Sequence, residues 1–262
     1  MLKKIVIAVV IIAVIGAVGV FIADRTIFAP SQVTAGVPVA PTLAAQSAAK
    51  PTQAAGVAQP TQAAASSAAP AAAAPAVNAP ASGSGKVYKI DPAQSEVHYE
   101  VGETFLDGNR FNLAIGRTKG IAGEIAIDTQ TPANSQIGEI VIDVSQFTSD
   151  ESRRDNFIRR TGLESSKYPQ ATFKTTSIEG LPAKVNEGEE VAFTITGDLT
   201  VKETTKPVTW QVKLKLAQGN VSGEATTQIK LSDFGAGPIK LPILSTEDSA
   251  KLVFDFVAVP AQ

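Results

Sequence analysis

No cysteine occurs anywhere in the 262-residue chain. That excludes disulfides, thiolate catalysis, cysteine zinc sites and attachment of a lipid to an N-terminal cysteine. There is one histidine, His98, and one tryptophan, Trp210. A zinc centre needs three or four ligands, so one histidine would leave it resting on carboxylates alone. A serine hydrolase would have to use His98 as its base, and the chain has no Gly-x-Ser-x-Gly elbow. Paired carboxylates such as Glu189-Glu190 and Glu247-Asp248 fall at turn-like positions, where solvated charge is the ordinary explanation. An excess of positive charge is also missing. From Lys86 onward 19 basic and 24 acidic residues leave this part near −5, without the cationic footprint of a nucleic-acid or acidic-lipid surface. No catalytic set, metal site, cofactor or nucleic-acid partner is expected.

What is present divides the chain into three. Residues from Ile5 to Ala23 carry no charge and follow Lys3 and Lys4. About 19 residues at ~1.5 Å rise approach the ~30 Å hydrocarbon core, and the preceding lysines favour a cytoplasmic N-terminus. A membrane anchor is expected over residues 1–28, with the remainder outside the cytoplasm. The alternative is a cleaved signal peptide, whose apolar region is shorter and ends in small residues; here bulky Phe21 sits just before Ala23. Residues 29–85 are rich in Ala, Pro, Gln, Thr and Ser, with Lys50 the only charge. Recurrent prolines interrupt any alanine helix, and a semi-extended tether is predicted, with a mean reach of ~40 Å for ~57 residues. The third part, residues 86–262, is long enough for one core.

In that third part the dominant period is two, the mark of strands with one buried face. Val97, Tyr99 and Val101 alternate with Glu96, His98 and Glu100; Val208, Trp210, Val212, Leu214 and Leu216 alternate with Lys213 and Lys215. About eight substantial strands are predicted, with a turn at Gln218-Gly219-Asn220. His98, on the polar side of its strand, reads as an exposed imidazole. One stretch, Ser149 to Thr161, has helical spacing, with Ser149 as N-cap and Gly162 as stop. Its apolar side would be Phe157 and Ile158, leaving Arg153, Arg154, Arg159 and Arg160 for water or acidic partners. Such arginines suit a phosphorylated head group or a solvated helix face equally. Short connections and one helix predict a closed up-and-down antiparallel barrel, because closure removes exposed edges.

Four segments in order, Tyr88-Lys89-Ile90-Asp91, Arg154 to Arg159, Lys167 to Phe173 and Gly197 to Val208, resemble the YceI family over Lys86 to Ala258. The resemblance implies a mainly β, eight-stranded lipocalin-like barrel with one helix, usually exported. It further implies an elongated interior that binds a polyisoprenoid or similar long-chain lipid, with no catalytic apparatus, and an Arg154-Asp155 pair that fixes the helix to the barrel. Where many members have a histidine after the second strand's alternation, this chain has Glu103. An interior of this size either fills with side chains or holds one ligand. With the resemblance, the expected ligand-lining residues are Tyr99, Val101, Phe173, Phe193 and Trp210, with Phe105, Phe111 and Phe157 near the mouth. The competing expectation is a filled barrel that serves as an envelope interaction domain.

Overall fold

Alternating apolar residues become strands in the computed structural model, which describes residues 37–43 and 85–261. The expected anchor over 1–28 lies outside the described residues, as does most of the tether. No helix among the described residues is long and apolar enough to cross a membrane. Twelve strands form one antiparallel sheet: β1 (Lys86–Ile90), β2 (Glu96–Phe105), β3 (Arg110–Thr118), β4 (Ile121–Ala122), β5 (Glu124–Ile127), β6 (Gln136–Ile137), β7 (Ile140–Asp143), β8 (Gln170–Glu179), β9 (Glu190–Val201), β10 (Thr204–Ala217), β11 (Asn220–Lys230) and β12 (Leu244–Pro260). A short helix, α1 (Ser152–Phe157), precedes β8.

The count exceeds the expected eight because amphipathic stretches break. The apolar run Ile121 to Ile127 is cut at Gly123 into β4, which pairs with β7, and β5, which pairs with β1 and β6. The hydrogen-bonded path runs β4-β7-β8-β9-β10-β11-β12-β1-β5-β6. The first strand of the path, β4, and the second-to-last, β5, are therefore consecutive in one piece of chain, and the sheet curls round to bring them together. The Ile90 amide donates to the Gly123 carbonyl at 3.0 Å, tying β1 across that junction. Long β12 divides its outer edge, pairing with β2 over its first part and with β1 through Ala258 to Pro260. At the β10–β11 turn Gln218 and Gly219 have φ of 53° and 76°, the two-residue hairpin geometry in which a glycine is favoured.

The helix is shorter than its spacing suggests. After α1 the chain continues as a π turn, Ile158–Gly162. The N-cap is Glu151, whose side chain accepts from the Arg153 amide at 3.0 Å, and not Ser149. Ser149 is diverted because its hydroxyl donates to Asp155 at 2.6 Å, a stronger charged partner. His98 is likewise not exposed: its side chain is 12% accessible, with Nε2 3.4 Å from Glu100 and Nδ1 3.9 Å from Asp255. Flanking strands place Arg117 and Val253 directly opposite it, and cross-strand neighbours on the same face shelter a ring that an isolated strand would leave in water.

The core follows the inward faces of the strands, and Ile121, Val221 and Ala258 are wholly inaccessible. Residues 37–43, which fall inside the stretch read as tether, lie against the domain near β5 and β6, with Pro38 buried.

Candidate ligand-binding cavity

The odd-numbered face of β2 lines one wall of a cavity of about 950 Å³: Val97, Tyr99, Val101, Glu103 and Phe105 all contribute to it. Alternation puts them on one side of the strand. Neighbouring residues supply the room. Val101 lies opposite Ala114 on β3 and Ala250 on β12, and both alanines also line the space. Two wide strands with small residues opposite a valine leave a gap that leucines would close.

Trp210, with Val97, Ile142 and Leu199, separates this cavity from a second of about 110 Å³, lined by Phe173, Phe193 and Phe256 among others. Of the residues expected to line the interior, Tyr99, Val101, Phe105, Phe111, Phe157 and Trp210 border the larger space. Phe173 and Phe193 border the smaller one with Trp210. Phe173 meets Trp210 edge to face at 6.0 Å between ring centres. The buried indole N–H of Trp210 has no hydrogen-bond partner among the described residues, an unusual condition for a buried donor.

Tyr99 owes its place to a neighbour without a side chain. Gly116 is its cross-strand partner, and the position a Cβ would take there is filled by the Tyr99 ring. The ring also meets Phe147 edge to face at 5.3 Å. Burial, followed by the charge of Asp155, pushes the Tyr99 phenol well above its ordinary range.

One end of the larger cavity is polar. Glu103, only 4% exposed, accepts from Arg154 Nε at 3.1 Å and from Asn112 at 3.2 Å. Arg154 also donates to Asp150 at 2.5 Å and to Ser149 at 3.1 Å. Burial alone would lower the pKa of Arg154, but the hydrogen bond to Asp150 and the charge of Glu103 outweigh it and hold the guanidinium above its usual value. The same bond holds the Asp150 carboxyl below the usual carboxylate range. Arg154 thus joins α1 to β2, and Asp155 joins α1 to the loop before it. Arg159 does not face water: it is 7% exposed and donates to the Phe147 carbonyl at 2.6 Å and to Asn156 at 2.9 Å. Arg153 borders the cavity, whereas Arg160 is exposed and away from it.

Around the mouth the surface is apolar. Phe111 is 65% exposed and Ile243 60% exposed, and both line the opening. The β2–β3 connection reaches Ile243 through a 2.9 Å bond from the Leu106 amide to its carbonyl. Period-two reasoning did not find Phe147, Leu163 or Phe234, which line the cavity from loops and turns where no period exists. Glu103 was detectable, since it continues the alternation of Val97, Tyr99 and Val101; its charge argued against the inside position that the pattern gave it. Among the described residues, no three His, Asp or Glu side chains are grouped to hold a metal ion.

A family model described as YceI-like domain matches residues 88–258. Protein YceI of Escherichia coli O157:H7 is 35% identical over 132 residues, covering 47% of this chain and 64% of that protein. The chain thus matches a little under two thirds of the length of that relative. A UPF0312 protein of Vibrio parahaemolyticus is 31% identical over 160 residues, covering 56% of this chain and 76% of the relative. Two solved structures share the fold at TM-score 0.51. Burkholderia cenocepacia BcnA is 24% identical, covering 65% of this chain and 99% of its own. A polyisoprenoid binding domain from Saccharophagus degradans, implicated in plant cell wall breakdown, is 14% identical, covering 66% and 98%.

Proposed function

This chain belongs to the YceI-like family, and from that premise we propose that it binds one long apolar lipid, of the polyisoprenoid or isoprenoid-quinone class, inside its curled sheet. Binding, without turnover, is the activity. The domain works outside the cytoplasm, held to a membrane by residues 1–28.

The observation that carries this reading is the larger cavity: about 950 Å³, near the top of the ~300–1,000 Å³ range of small-molecule sites, apolar along its length and polar at one end. An apolar chain gains ~25 cal/mol for each Å² withdrawn from water, so sequestration needs no chemistry. The Glu103–Arg154 cluster would meet the polar head group. A ligand oxygen within reach of Trp210 would satisfy its unpartnered indole N–H, which favours an oxygen-bearing lipid over a pure hydrocarbon. A binding domain from another organism with the same fold, described as polyisoprenoid binding, supports the ligand class. A filled barrel used only as an interaction surface would have no space of this size, and the cavity counts against it.

The test is gentle isolation of the full chain from membranes, followed by mass spectrometry of extracted lipid. One isoprenoid chain per protein is expected. A lipid-free protein that also fails to take up isoprenoid quinones or polyprenyl phosphates overturns the reading.

A further inference from the structure

Residues 37–43, Val-Pro-Val-Ala-Pro-Thr-Leu, come from a stretch whose composition gives no reason to touch the domain, yet they are seated on it. Three observations define the contact. The Leu43 amide donates to Glu124 Oε2 at 3.0 Å, across 81 positions of sequence. The Leu43 side chain packs over Gly138, with Cδ2 3.2 Å and Cγ 3.4 Å from where a Cβ on that residue would stand. Pro38 is buried, while Val39 between the two prolines is 86% exposed.

We propose that residues 37–43 form a clasp, and that the surface made by Glu124 and Gly138 is a docking site for a neutral, proline-bearing peptide of which this segment is the resident occupant. The chemistry of the site fits such a peptide. Gly138 follows β6, the terminal strand of the hydrogen-bonded path, so the clasp closes over the end of the sheet, where open edges invite unwanted pairing. Its lack of a side chain makes the seat that Leu43 fills. Glu124 offers a carboxylate to a backbone amide, a charge-assisted bond stronger than a neutral one. Prolines at 38 and 41 fix two φ angles beforehand, so less backbone entropy is lost on docking.

The clasp changes what the tether does, a consequence that rests on the reading of residues 1–28 as an anchor. With residues 37–43 and Gly85 both fixed on the domain, residues 44–84 join two points of the same body and add nothing to its reach. Only residues 29–36 then separate anchor from domain, and the mean reach falls from ~40 Å to ~15 Å. The cavity is thereby held against the membrane surface from which a lipid would enter, instead of ranging above it. Opening the clasp would release the full length.

Because the chain has no cysteine of its own, labels can be placed without background. Spin labels on Val39→Cys and Ala133→Cys in the full chain should give one narrow distance peak, and Leu43→Asp, which sets a carboxylate beside Glu124, should broaden it severalfold. Leu43 lies outside the domain, so this variant cannot act by unfolding the sheet; Glu124→Ala should reproduce it from the other side. A broad distribution in the unsubstituted pair, or a peak insensitive to both variants, overturns the clasp. In vesicles carrying a membrane-embedded acceptor, energy transfer from a donor on Ala133→Cys should be unchanged when residues 61–80 are deleted and should fall with Leu43→Asp. A free tether gives the reverse: deletion raises transfer and Leu43→Asp does nothing. A narrow intrachain peak with no transfer to the membrane would refute the anchor while leaving the clasp in place.

Discussion

Val101 lies in the apolar wall of the cavity and Arg154 in its polar cluster, and they should fail in different ways. Val101 is 7% exposed and flanked across the sheet by Ala114 and Ala250. In Val101→Trp the larger ring would occupy ligand space, so copurified lipid should be lost while the melting temperature stays near normal. Overpacking a solid core would instead cost about 1–3 kcal/mol, and a large drop in melting with lipid retained would contradict the cavity assignment. Arg154→Ala leaves Glu103 buried without its cation. The expected loss is about 3 kcal/mol, the low end for breaking a buried pair, measured by denaturant titration. Much of that cost is the stranded carboxylate, so Glu103→Gln in the Arg154→Ala background should recover part of it. A double variant no more stable than Arg154→Ala alone would show that the arginine acts by packing.

At the scale of strands, three glycines are covered by rings from adjoining strands. Tyr99 lies over Gly116, Phe173 over Gly197 and Phe256 over Gly223. The rings compensate for glycine's poor packing in a strand, and the glycines let bulky side chains lie flat at the cavity wall. Gly116→Val should displace Tyr99 toward the cavity. Loss of about 1–3 kcal/mol together with loss of bound lipid is expected, in contrast to Val101→Trp, which should lose lipid alone. Thermal melts and lipid extraction on the two variants side by side make the comparison. Retention of both stability and lipid in Gly116→Val would mean that Tyr99 can move outward without consequence.

The same scale shows pH dependence at the helix. Asp150, bonded by Arg154, has its pKa lowered in the folded protein. A lowered folded pKa contributes stability that is present above the ordinary value of 3.8 and is lost as pH falls through the folded value. Acid titration of the helix signal should therefore lose this contribution only below about pH 4, and Asp150→Asn should remove that part of the pH dependence. An unchanged acid profile in Asp150→Asn would assign it to other carboxylates.

For the whole molecule, the folding unit should be residues 86–262. All twelve strands and α1 lie within it, and the contacts of residues 37–43 with it include an amide-to-carboxylate bond, a partly covered leucine and a buried proline. The isolated unit should fold by circular dichroism, with stability lower than the full chain by no more than about 1–2 kcal/mol, the worth of those contacts. An unfolded fragment would place the boundary elsewhere.

Legible in the sequence were the β class, a helix before the Lys167-to-Phe173 segment, the inward faces of the long strands and the aromatic residues that border the cavities, because the side-chain period of a strand is local and Val97, Tyr99 and Val101 announce their face without reference to any partner. The sequence determined the family as well, through short motifs in fixed order. Tertiary structure alone decided the rest, because each remaining feature depends on what is brought alongside. The break at Gly123 follows from two halves of one apolar run finding different neighbours. His98 is covered by adjacent strands, and Arg159 is buried because a loop carbonyl at Phe147 meets it. The width of the cavity comes from alanines opposite a valine, and Glu103 sits inside because Arg154 arrives from a helix 51 residues away. The docking of residues 37–43 is the extreme case: a carboxylate and a bare glycine, distant in sequence, convert part of a featureless spacer into a contact.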